Sequence, residues 1–183
     1  MMATRIRVDQ FKDFDETTED VIGTSMSGVG SVSVFYDDDN DTILISGSVS
    51  SVVTPVLSVD YQVSGMVGPF TAGESVSALE SCYFKSDGKL WKSSASSAST
   101  MPIVALSTAS ISGDSSGEFL LQGFARKDSW DWTVGGMIYA DTISGSLTQT
   151  IPDTIGDRVQ VVGWAYSADI MYFNPNYAMV EIA

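Results

Sequence analysis

The sequence predicts an all-β protein, and three observations carry that prediction. Runs such as SVSVFY and TILISGSVS are rich in β-branched and aromatic residues, the types that suit a pleated, half-buried surface. Glycine and serine interrupt those runs every few positions. Turn residues then separate neighbouring runs at short spacing, as Asp87-Gly88 does in CYFKSDGKLWK.

From the N-terminus, DQFKDFDETTED is the only stretch that reads as a short helix, with Phe11 and Phe14 on one amphipathic turn. SVSVFY and TILIS follow as two strands around the polar loop from Asp37 to Asp41. In VSGMVGPFTAGES the cluster of Gly65, Gly68, Pro69 and Gly73 marks either a domain boundary or loops inside one domain. Asp87-Gly88 is the preferred pair for a two-residue hairpin. Turn residues from Ser112 to Gly117 lead into a strand at Phe119–Gln122, and a further hairpin turns near Ser144-Gly145.

Two stretches of the chain read as an internal duplication. SCYFKSDGKLWKSSASSASTMPIVALSTASI and GMIYADTISGSLTQTIPDTIGDRVQVVGWAYSADI each run hairpin, irregular polar stretch, apolar strand. Tyr83 aligns with Tyr139, and PIVALSTAS with VQVVGWAYSA, at a shift of about 56 to 58 residues. The expected organisation is a small N-terminal β module over residues 1–70, followed by a β-barrel or sandwich domain over residues 71–183.

Composition narrows the function. The chain has 183 residues and is 44% hydrophobic, enough to bury a core, with 9 basic and 23 acidic residues and a formal charge of −14. Nucleic acid and anionic membrane surfaces are repelled by such a field, and a charged partner would be cationic. There is no histidine, which removes the usual general base near neutral pH, any Ser-His-Asp triad and the commonest zinc ligand. The single cysteine, Cys82, has no intrachain partner and sits in an apolar run, so a buried structural thiol and a reducing compartment are expected. The N-terminal residues show no export signal, and no apolar run approaches the length of a membrane span.

Three groups of residues could carry binding or chemistry. Asp37, Asp39 and Asp41 alternate and could offer three oxygens to calcium. The EF-hand pattern fails, because the sixth position counted from Asp37 is Thr42 and the twelfth is Ser48. A hairpin tip is the simpler reading, since Asp and Asn suit turn backbone angles. In ARKDSWDWTVGG, Trp130 and Trp132 lie two apart and would share one face of a strand. Two indoles there could stack on a glycan, or fill a core or a subunit interface. Asp128 and Asp131 beside them could be imagined as a glycosidase pair, though their spacing does not single them out. SMSGVGS lacks the third glycine and the following helix of a phosphate-binding loop. No catalytic residue and no cofactor is expected.

The C-terminal half, through LLQG, DSWDWTVGG, LTQT, VQVVG, SADIMYFNP and the closing VEI, resembles a domain of tailed-bacteriophage virion proteins. The upstream CYFKSDGKLWK and MPIVALSTASI fit the same pattern, and the resemblance covers residues 72–182. It implies a non-enzymatic structural component of a phage virion: a tail-fibre, head-fibre or capsid decoration protein. Such proteins are commonly homotrimers, made in the host cytoplasm and assembled with other virion proteins. The N-terminal module would anchor or trimerise and the C-terminal domain would face outward. The alternative is a module that binds host surface glycans through Trp130 and Trp132.

Overall fold

The computed structural model describes residues 32–37, 42–47 and 53–183. The chain divides into two compact units, 1–50 and 51–183. In the first unit, β1 (Val32–Asp37) and β2 (Thr42–Gly47) pair antiparallel from Val32 opposite Gly47 to Asp37 opposite Thr42. Asp37 is therefore the last residue of a strand. Residues 38–41, which include Asp39 and Asp41, lie outside the described residues, as does the helix expected over DQFKDFDETTED.

The second unit contains β3 (Val63–Thr71), β4 (Ser81–Phe84), β5 (Leu90–Lys92), β6 (Ala105–Ser107) and β7 (Ser116–Arg126). β8 (Met137–Ala140), β9 (Leu147–Thr148), β10 (Arg158–Val159), β11 (Val161–Ala165), β12 (Ile170–Phe173) and β13 (Val180–Glu181) follow. The only helical element among the described residues is a 3-10 turn at Ala98–Thr100.

The expected all-β class is found. Eight antiparallel strands in the order β5-β4-β6-β7-β12-β11-β8-β9 form a curled half-barrel, and β10 and β13 make a second, two-stranded sheet. The two halves of that order have the same connectivity. β4 pairs with both β5 and β6, and β6 pairs with β7. β8 likewise pairs with both β9 and β11, and β11 pairs with β12. The two blocks meet where β7 pairs with β12.

β3 differs from the expected boundary at residue 70. It pairs with β7 along its whole length, from Val63 opposite Ala125 to Thr71 opposite Ser116, and the division between units falls at 50/51 instead. Leu120 lies opposite both Val67 and Leu106, and Gly123 opposite both Gly65 and Phe173. β3 thus occupies one edge of β7 while β6 and β12 share the other. Gly65 and Gly123 make this crossing possible. Their φ angles are +149° and +146°, and a Cβ on Gly123 would stand 2.1 Å from the Ser64 carbonyl oxygen. Only glycine tolerates that approach.

The β4–β5 hairpin turns where expected but with a different loop. Gly88 N donates to the Lys85 carbonyl, Gly88 has φ +77°, and Asp87 is not among the residues of positive φ. The loop is a three-residue turn closed by a left-handed glycine, not a two-residue turn, which would need Asp87 at positive φ too. At the β8–β9 turn, Gly145 N donates to the Ser93 carbonyl and Ala95 N to the Asp141 carbonyl. These bonds curl the two ends of the strand order toward each other.

Inside the curl, Leu106, Leu120, Ile138, Val162, Met171 and Phe173 are fully buried in one cluster, and Cys82, Leu90, Ala105 and Phe119 in a second. Burying side chains of this size is worth about 1.5–3 kcal/mol each. Gln160 is fully buried among them. Its Oε1 accepts from Ile103 N at 2.8 Å, and its Nε2 donates to the Ile103 and Asn176 carbonyls at 2.9 and 2.8 Å. Among the described residues no helix is long and apolar enough to cross a membrane.

Candidate functional site

The outer face of the half-barrel carries a row of large side chains in direct cross-strand register. Met137 on β8 lies opposite Trp164 on β11, Trp164 opposite Tyr172 on β12, and Tyr172 opposite Phe124 on β7. Strand alternation explains the row: Ala165, Met171, Phe173 and Ala125 point into the core, so Trp164, Tyr172 and Phe124 point out, and the register shift between Val161 and Gly163 lets Val162 face inward as well. The rings touch, with centroids 5.0 Å apart for Trp164–Tyr172, 4.9 Å for Tyr172–Phe124 and 5.6 Å for Phe124–Tyr166. Trp164 remains 47% exposed, Tyr166 52% and Met137 57%.

The row continues into a groove. Gln122 Nε2 donates to the Tyr172 hydroxyl at 3.0 Å, and Gln122 also lines an open groove of about 460 Å³ with Met66, Phe70, Phe84, Leu121 and Tyr177. No residue of the row or of the groove lining is charged. In a chain of 17% charged residues with a net charge of −14, that is a large neutral, apolar face. Patches of this kind on a folded domain mark contact sites.

The tryptophans singled out in the sequence sit elsewhere. Trp130 and Trp132 lie in the connection between β7 and β8, not on a strand. Trp130 N donates to the Lys127 carbonyl and Trp132 N to the Ala168 carbonyl. Their rings pack on each other at 5.3 Å, and both are half-buried against the larger core cluster. Trp132 Nε1 is buried without a hydrogen-bond partner. Asp128 is exposed and accepts from Arg126 Nε at 2.6 Å, and Asp131 is exposed. Among the described residues, no three acidic or thiol side chains converge closely enough to hold one metal ion. Asp37 is the only one of the three alternating aspartates within a described strand, and its side chain is outside the description.

Cys82 is fully buried on β4. Burial, reinforced by the negative charges of Glu80 and Glu74, pushes its thiol up to about 12. It is therefore a thiol, not a thiolate, at neutral pH, and makes a poor nucleophile.

Sequence reasoning missed the row because Trp164, Tyr172 and Phe124 come from three separate strands. The available signal was the i, i+2 spacing of Trp164 and Tyr166 in VVGWAY. No protein-family model matches the chain, and no curated protein matches it.

Proposed function

We propose that this chain is a non-enzymatic structural protein that assembles with copies of itself through the neutral aromatic face, as a component of a phage virion. The face is the observation that carries the reading. Two copies of an acidic chain repel each other wherever carboxylates meet, and a stable contact forms most readily on a surface without them. The row of Trp164, Tyr172, Phe124 and Tyr166 beside the Met66–Phe84–Tyr177 groove is such a surface, and Trp, Tyr, Phe and Met are the residues enriched where protein interfaces are fully buried. The virion setting comes from the resemblance of residues 72–182 to phage fibre and decoration domains, and a homotrimer is the expected assembly. A stacking platform for host glycans at Trp130 and Trp132 has less support, because those rings pack against the core and each other.

Light scattering on the purified chain tests the assembly. A mass of three times the 19.5 kDa chain is expected, falling to one chain in Trp164→Ser combined with Tyr177→Ser. A wild-type monomer at high concentration overturns the reading. The virion setting is tested separately, by labelling purified phage particles with an antibody to the chain.

A further inference from the structure

The two hydrophobic clusters lie on opposite faces of β6 and β7. Leu106 and Leu120 belong to one, and their strand neighbours Ala105 and Phe119 to the other. Phe70, Val104 and Leu121 pack at the margin of the second cluster and are only half-buried. The same three residues line the groove of about 460 Å³. The floor of the groove is therefore an open end of a hydrophobic core.

Gly68 keeps that end open. A Cβ there would stand 3.1 Å from the Phe70 ring and 3.8 Å from Leu121 Cδ1, so a side chain at this position would grow into the groove. The backbone does not demand glycine, since Gly68 is not among the residues of positive φ. What the missing side chain provides is space. That space is walled by Phe70 and Phe84, whose rings meet edge to face at 5.4 Å, and it suits a large apolar ring.

Trp164 is such a ring. Of the four tryptophans it alone is exposed, while Trp91, Trp130 and Trp132 are half-buried. It does not face the groove of its own chain. Tyr172 stands beside it in the row, and Gln122, bonded to the Tyr172 hydroxyl, comes next at the groove wall. Neither surface carries a charge, so two chains of net charge −14 can meet there without setting carboxylate against carboxylate.

Resting on the self-assembly reading above, we infer that the contact joins unlike surfaces: Trp164 of one copy seats over Gly68 in the groove of the next. Each copy then gives a ring to one neighbour and receives one from another, the arrangement that a ring of three requires. A row-to-row contact would instead pair two copies about a two-fold axis and leave the groove empty.

Light scattering on full-length variants, alone and mixed in pairs, tests this. Trp164→Ser keeps the groove and loses the ring. Met66→Asp keeps the ring and charges the groove at a residue that is more than half exposed, and Gly68→Leu fills the groove instead. Thermal melting establishes that each variant is folded. Each is expected to be a single chain at concentrations where wild type is assembled, a weakening of about thirtyfold or more. Mixing Trp164→Ser with either groove variant restores one intact contact and is expected to give a species of two chains. A wild-type monomer overturns this inference together with the self-assembly reading. Assembly of both groove variants as well as wild type, or failure of both mixtures to associate, overturns this inference alone.

Discussion

The two repeated blocks of the half-barrel share a connectivity and differ in what they place at matching points. In the first block the stretch Ser93–Thr100 after the hairpin combines internal bonds with bonds to the second block: Ser97 caps the 3-10 turn and Thr100 Oγ1 donates to the Ser94 carbonyl, while the Ser94 hydroxyl donates to the Thr142 carbonyl and Ala95 N to the Asp141 carbonyl. In the second block the matching stretch, Thr150–Asp157, is tied to β13's end of the chain: Gly156 N donates to the Ile182 carbonyl, and Ile182 N donates to the Asp157 carbonyl. The outer faces differ too, since the row Trp164, Tyr172 and Phe124 is built on β11, β12 and the end of β7 that pairs with β12. The same strand connectivity occurs twice. The second block carries the aromatic row, while the groove beside it is lined largely by Met66, Phe70 and Phe84 from β3 and β4.

The join between the blocks is where the comparison breaks most sharply. Gly123 sits on β7 at the crossing of β3 and β12, and a Cβ there would meet the Ser64 carbonyl and Gly65 Cα. Gly123→Ala is expected to destabilise the second unit by about 3 kcal/mol or more, since neither contact is a side chain that can move aside. Urea denaturation of the variant measures this, and a loss under about 1 kcal/mol would mean that the blocks can part at β7 without disturbing each other.

A smaller effect is expected at Gln160. At a shift of 57 residues, within the range of the duplication, Gln160 is the counterpart of Ile103, and the two are bonded to each other. One block thus presents a backbone and the other an amide that completes it. Gln160→Leu keeps the volume but orphans the Ile103 amide and carbonyl and the Asn176 carbonyl. A loss of about 2–3 kcal/mol is expected in the same denaturation experiment. A neutral result would mean that water replaces the amide and that this contact does not hold the blocks together.

Much of this scaffold was legible in the sequence, because its signals are local. Asp87-Gly88 and Ser144-Gly145 mark both hairpins, and the matching order of hairpin, polar stretch and strand corresponds to the repeated connectivity. What was not legible depends on contacts far apart in the chain. Gly65 and Gly68 read as breakers, yet Gly65 lies inside a strand because Gly123 faces it across the ribbon. The two-residue spacing of Trp130 and Trp132 suggested a strand, but the chain between β7 and β8 turns back through Trp132 N to the Ala168 carbonyl. Asp157 carries no local mark at all. In TIPDTIGD it looks like any solvated turn residue, yet the residue keeps only 7% of its surface and its carbonyl accepts from Ile182 N.

The smallest expected change in stability is at Cys82, and it tests the duplication from the core outward. At the shift of 56 that aligns Tyr83 with Tyr139, Cys82 corresponds to Ile138, and both are fully buried. If the position is simply an apolar core site, Cys82→Val should alter stability by no more than about 1 kcal/mol near neutral pH. The thiol nevertheless leaves a signature in alkali. Its folded pKa, raised to about 12 from 9.0 by burial and then by Glu80 and Glu74, means that only the unfolded chain loses this proton as pH passes 9. Above that point the unfolded state is favoured by proton release, so this contribution falls between about pH 9 and 12. Cys82→Val lacks the group, and its stability should decline less steeply than that of wild type over that window. Parallel declines would mean that Cys82 ionises as freely folded as unfolded, and so does not share the sealed environment of Ile138.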